Sequence, residues 1–237
     1  MLQASRRTTL RGPVFIRFLA RLTGMDVALP GLSLSDRLSQ WLDWNHALAL
    51  STALERGVSS DADDVPTVEG VAQCECARIR AIQVEAIAAD SGRNGIGPSR
   101  DRKVAAEDES RSEAIDYAAY RQRYLARQRA MQSAAGDLRG RLRDRLAAKS
   151  ADMARLAEVD AAMELALSPR EQALLAAVPC VLESHFETLR LAALADASTI
   201  RSSWLDVFCK DMQSVLLAEL DVRFQPVEGL LAALRTC

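Results

Sequence analysis

From Tyr117 onward the apolar positions recur at helical steps. Tyr117, Tyr120, Tyr124, Met131, Ala135, Leu138, Leu142, Leu146, Met153, Leu156, Met163 and Leu167 share one seam, three, four or seven residues apart almost throughout. Gln128, Lys149 and Asp160 are its polar guests. The pattern predicts one long amphipathic, coiled-coil-like helix over about 113–167. Its seam from Tyr117 to Leu167 would span about 75 Å at the usual helical rise. A helix of that length needs equally long partners to bury its seam. The mean step lies close to 3.6, so a bundle suffices and a strongly supercoiled rod is not demanded. Gly136 and Gly140 fall on the opposite face, and each weakens a helix by about 1 kcal/mol relative to alanine. One helix bent near these glycines is the preferred reading, with a hairpin turn between them as the alternative.

The remaining pattern divides the chain into a helical N-terminal region (1–57), a polar loop (58–70), a helix (71–89), a Gly/Ser/Arg linker (90–103) and a C-terminal helical bundle (104–237). In the first region Val14, Phe15, Phe18, Leu19 and Leu22 share a face between Pro13 and Gly24, with Arg17 and Arg21 beside it. Such a basic amphipathic helix is expected to dock on its own domain, and peripheral membrane contact by residues 13–23 is its other use. Ser33 or Ser35 can cap the next helix, through Leu38, Trp41 and Leu42. Asn45 either sits inside that helix or caps a new one from His46 to about Arg56. Further on, Ser168-Pro169-Arg170-Glu171 reads as a helix start, and Pro179 as a kink in the helix that begins there. A helix from about Ser198 is expected to stop before Pro226, which opens a short last one. The whole is predicted to be all-α: a helical bundle around one long helix, with a small N-terminal helical subdomain.

Composition sharpens this picture. The chain has 237 residues, 49% hydrophobic and only 5% aromatic, and is rich in Ala, Leu, Arg and Glu, so helix is favoured over strand. The formal charge of -2 conceals segregation. Residues 121–149 hold nine basic side chains against Asp137 and Asp144, whereas residues 152–221 hold twelve acids against five bases. The two halves are expected to neutralise each other. The odd set Cys74, Cys76, Cys180, Cys209 and Cys237 argues for free thiols in a reducing cytoplasm. No uninterrupted apolar run reaches the ~18 residues of a transmembrane helix, so none is expected.

Candidate chemistry is sparse. His185 shares a face with Leu174, Val178 and Leu189 and is read as a structural histidine; His46 is expected at the surface. Cys74 and Cys76, two apart on a helix, point to nearly opposite sides, and no second pair stands at finger-like spacing. Gly92, Gly95 and Gly97 lack the Gly-Lys-Ser/Thr of a phosphate loop. No Glu-x-x-His or Gly-x-Ser-x-Gly occurs. No catalytic residue, cofactor or metal is therefore assigned, and an enzyme without a recognisable motif is retained only as an alternative.

The arginines are the strongest feature. Arg123, Arg127, Arg141 and Arg145 line one flank of the apolar seam, and Arg121, Arg129, Arg139 and Arg143 the other. Arginines beside tyrosines could track nucleic-acid phosphates and stack on bases. Charges at seam edges also select an oppositely charged partner helix. Pairing with protein is preferred, through the acidic helices of the same chain, a protein partner or self-association by the long helix, because a nucleic-acid binder usually has an overall basic domain.

Trp41-Leu42-Asp43-Trp44, Ser168-Pro169-Arg170-Glu171 and Arg223-Phe224-Gln225-Pro226-Val227-Glu228-Gly229-Leu230-Leu231 together resemble a proteobacterial domain-of-unknown-function family of helical cytoplasmic proteins, over nearly the whole chain. The resemblance implies a bacterial cytoplasmic protein and a partner in a cell-envelope machine of the stator and peptidoglycan-binding kind. It transfers no site residues. The resulting expectation is a non-enzymatic interaction or adaptor protein, with nucleic-acid binding through residues 121–145 as the alternative.

Overall fold

The computed structural model describes residues 14–24, 34–42, 44–55, 67–92, 116–195 and 203–235, nearly all of them helical. Eight helices are seen among them: α1 (Val14–Thr23), α2 (Leu34–Trp41), α3 (Trp44–Glu55), α4 (Thr67–Gly92), α5 (Tyr117–Lys149), α6 (Ala151–Leu175), α7 (Val178–Ala195) and α8 (Ser203–Arg235). The all-α bundle read from the pattern is the fold. Gly24, with φ of 64°, takes the left-handed conformation that ends α1.

α5 and α8 form the centre. Tyr120 meets Phe208, Tyr124 meets Glu219 and Lys149 meets the Leu234 carbonyl, so the two helices run parallel. α4 lies antiparallel to α5 on one flank, with Asp90 on Arg127 and Glu75 on Arg141 and Arg145. It also ties to α8 through Arg80, which donates to Asp221 and Glu228. α6 lies antiparallel to α5 on the other flank, and α7 continues it past α5 and α8. α1 packs on α7 and α8, and α3 on the outside of α6. The core centres on Tyr124, Met131, Leu138, Leu142 and Leu146 of α5, Leu182 and Phe186 of α7, and Phe208, Leu216 and Phe224 of α8.

Several boundaries differ from expectation. The helix read over about 113–167 stops at Lys149. Ser150 is extended (φ -161°, ψ 165°), and its hydroxyl accepts from the Met153 amide to cap α6. A serine fits a cap better than a helix interior, and the reversal lets the second half of the seam fold back on the first. α5 runs unbroken through Gly136 and Gly140, where an added Cβ would meet nothing within 4 Å. Neither a bend nor a turn is needed there.

The prolines also behave differently. Pro169 lies inside α6, which runs on to Leu175. The break comes at Ala176 and Ala177, so Pro179 falls in the first turn of α7, where its missing amide would lack a partner anyway. α8 passes through Pro226 without stopping, its flanks held by buried Phe224, Val227 and Leu230. Tertiary packing outweighs the single lost hydrogen bond. The expected 71–89 helix extends to Thr67–Gly92, taking in residues 67–70 of the expected loop and 90–92 of the expected linker. The rest of that loop and linker, and residues 104–115, lie outside the described residues. The segment around Trp41 is two helices, with the break before Trp44 and Asn45 inside α3.

By length and composition alone, the bent rod Ala151–Ala195 is long and apolar enough to cross a membrane. A search for uninterrupted apolar runs misses this because Glu171, Glu183 and Glu187 punctuate it. Here the rod packs lengthwise along α5, with Ala157, Leu175, Leu182 and Phe186 in the core.

Candidate functional site

Phe208, Met212, Val215 and Val227 are in helical phase on the buried face of α8, and Glu219 stands in the same row with no exposed surface. A bare carboxylate there would be costly to desolvate. Four hydrogen bonds satisfy it. The Tyr124 hydroxyl donates to Oε2 at 2.7 Å and Gln128 Nε2 to the same oxygen at 3.0 Å. Arg223, one turn on, donates to Oε1 through Nε at 2.9 Å and Nη2 at 2.7 Å. Gln128 Nε2 also donates to the Leu175 carbonyl at 3.1 Å, which satisfies the end of α6. Burial raises the Tyr124 pKa well above the ordinary tyrosine value, with the Glu219 charge adding to it, so the hydroxyl stays a donor. The cluster joins α5, α6 and α8 at one point.

Arg223 leads outward from this junction. Its Nη1 reaches Glu171 at 3.4 Å, and both residues line an open cleft of about 570 Å³ between α5, α6 and the Pro226 turn of α8. Ser133, Gly136, Leu165 and Ser168 share the lining with Arg139, Arg143 and Glu164. Its serines have no histidine or cysteine beside them in the cleft wall. The arrangement offers alternating positive and negative charges along a polar surface.

The structure separates the eight arginines by use. Arg139 grips Asp160 with two hydrogen bonds of 2.8 and 2.7 Å, and Arg143 bonds to Asp160 and to Glu164 on α6. Burial works against the Arg143 charge, but Glu164 and Asp160 outweigh it and raise its pKa. Arg127, Arg141 and Arg145 turn the other way, to Asp90 and Glu75 of α4. Arg123 lies over the Tyr120 ring, 5.7 Å from its centroid. Arg121 and Arg129 are exposed. The acidic C-terminal half thus serves one flank only. The other flank finds its carboxylates on α4, which precedes the arginines in the chain.

A family described as Protein of unknown function (DUF3348) matches residues 1–236. The chain belongs to this family. The match spans the N-terminal helices, the junction and the cleft together, so the resemblance to a domain-of-unknown-function family holds over the whole length. No curated protein and no solved structure matches the chain.

His185 of this family member is partly buried on α7, and its Nε2 lies 2.9 Å from Asp211 Oδ2, while Arg21 of α1 reaches the other oxygen of that carboxylate at 3.1 Å. The histidine therefore helps to hold α1. Leu174, expected on its face, is exposed instead because the turn at Ala176 and Ala177 resets the helical phase. Cys74 and Cys180 are exposed free thiols, and Cys76 and Cys209 are buried. Among the described residues no group of three or more His, Cys, Asp or Glu could hold a metal ion.

The buried junction was missed in the sequence, although a signal existed: Glu219 stands in phase with Phe208, Met212 and Val215, with Arg223 four residues on. The exposed apolar residues of the rod were missed too. Leu174 is 66% exposed, and Leu191 and Leu194, three apart near the end of α7, are 59% and 68% exposed. Leu165, at the cleft, is equally open.

Proposed function

We propose that this chain is a non-enzymatic helical interaction or adaptor protein of the bacterial cytoplasm, whose partner binds the outer face of the α6–α7 rod. The exposed Leu174, Leu191 and Leu194 carry this reading. Single exposed leucines are ordinary on a protein surface, but three along one rod suit a partner better than water. The resemblance carried by the Trp41-Leu42-Asp43-Trp44 and Ser168-Pro169-Arg170-Glu171 motifs points to a cell-envelope machine as the partner's setting. Nucleic-acid binding through residues 121–145 is less well supported, since five of those eight arginines already hold carboxylates of this chain.

The test is affinity capture from native cells with the wild type and the Leu174→Ser/Leu191→Ser/Leu194→Ser variant, followed by reconstitution with the purified partner. The expected result is a stoichiometric protein partner that the triple variant fails to retain. Capture that the triple variant leaves unchanged would sink the assignment to this face. Retention of nucleic acid that salt removes would favour the other reading.

A further inference from the structure

α4 buries Ala72, Cys76, Gln83 and Ile87 against the rest of the bundle. Its other side carries Val71, Cys74, Arg78, Ile82, Glu85 and Ala89, all exposed, with Val71 at 60% and Ile82 at 47%. Their steps are three, four, four, three and four. Eleven residues separate Val71 from Ile82 and Arg78 from Ala89, and an eleven-residue repeat keeps a stripe nearly in line on an almost straight helix. The stripe is continuous and only lightly charged, and it is part of a broader exposed arc that also holds Gln73, Ala77, Ala81, Val84 and Ala88.

Its two charges decide what fits it. Three other charged residues of α4 have partners within the chain: Glu75 is held by Arg141 and Arg145, Arg80 by Asp221 and Glu228, and Asp90 by Arg127. Arg78 and Glu85 make no ion pair among the described residues. Seven residues apart, they are about 10 Å from each other along the axis, too far to pair. They are, however, placed symmetrically about a point beside Ile82. A second α4 turned over about a two-fold axis at that point sets Arg78 against Glu85 of the second copy and Glu85 against its Arg78. The same operation sets Cys74 opposite Ala89 and brings the two Ile82 side chains together at the centre. Self-complementarity of this kind is what an isologous interface requires.

We propose that the outer face of α4 is a self-association surface, on which a second copy of this chain pairs antiparallel through reciprocal Arg78–Glu85 ion pairs around Ile82. This surface lies across α5 from the α6–α7 rod, and neither proposal depends on the other. A single helix pair makes a small interface, so the dimer is of the weak, exchanging kind.

Sedimentation equilibrium of the full chain over a wide concentration range tests it, with folding followed by circular dichroism. The wild type is expected to dimerise. Arg78→Glu and Glu85→Arg, each of which sets like charges together, should weaken the dimer about tenfold or more. The combined R78E/E85R variant should restore it. In a Cys74→Ser/Cys180→Ser/Cys237→Ser background, Ile82→Cys should be joined across the two-fold by a short bis-maleimide. Val71→Cys should not, because its two copies lie about 30 Å apart along antiparallel axes. A wild type that stays monomeric at every concentration overturns the proposal. So does a dimer indifferent to R78E, or one that Val71→Cys links as readily as Ile82→Cys does.

Discussion

α5 and the α6–α7 rod lie side by side, are both long and helical, and treat their polar and apolar residues in opposite ways. α5 buries its seam from Tyr117 to Leu146 and ties the arginines at its edges to carboxylates on two neighbouring helices. The rod gives one side to α5 and leaves Leu174, Leu191 and Leu194 in water. The contrast shows where to look for function. Arginines already bound within the chain are poor candidates for a ligand, and uncovered leucines are good candidates for a partner. An Arg-rich stretch is therefore no more a binding site than the carboxylates around it allow.

The contrast is tested most severely at the junction. Glu219→Ala would leave buried Arg223 with only its longer contact to the partly exposed Glu171, and removing one member of a buried pair costs about 3–5 kcal/mol. Urea denaturation should show that loss, and a value under about 1 kcal/mol, the range of exposed pairs, would mean that water reaches the cluster. Tyr124→Phe deletes one hydrogen bond to a charged acceptor and should cost about 1.5–3 kcal/mol by the same measurement. By contrast, Leu174→Ser/Leu191→Ser/Leu194→Ser should shift stability by no more than about 0.5 kcal/mol per site, as surface changes do. A cooperative collapse of the triple variant would show that these leucines belong to the fold and not to a partner.

The smallest effect concerns pH. Burial opposes ionisation of Glu75, yet the hydrogen bonds and charges of Arg145 and Arg141 overcome it and hold its pKa below the ordinary glutamate value. A folded pKa below the unfolded one gives stability that is complete above the unfolded value and is lost as pH falls through the folded one. Wild type should therefore lose stability faster than Glu75→Gln as pH falls from about 4.5 into the acid range. Parallel acid titrations of the two proteins, monitored by ellipticity, check the sign.

Much of α5 was legible because a buried helix prints a 3.6-residue period on its sequence, and the seam from Tyr117 to Leu146 is buried almost position for position. The two arginine flanks were legible for the same reason, since helical phase alone sorts Arg141 and Arg145 from Arg139 and Arg143. The partner of one flank was not, because nothing local reveals that Glu75, 70 residues before Arg145, lies beside it. Ser150 escaped notice because Leu146 and Met153 stand seven apart across it, so the phase looks unbroken where the chain reverses. Pro169 and Pro226 misled in the other direction. A proline weakens a helix locally, but packing of Phe224, Val227 and Leu230 holds α8 straight through.

The parallel alignment of α5 and α8 also orders events in time. The contacts that seal the centre join residues far apart in the chain, such as Tyr124 and Glu219 at a separation of 95, whereas Arg139 and Asp160 are separated by 21. Closing the longer loop costs more entropy and must wait for the returning rod to be laid down. The α5–α6 hairpin should therefore acquire amide protection before α8 does in pulse-labelled hydrogen exchange. Until α8 arrives, the row from Tyr117 to Leu146 is an open apolar groove, and a newly made chain is at its most sticky during that interval.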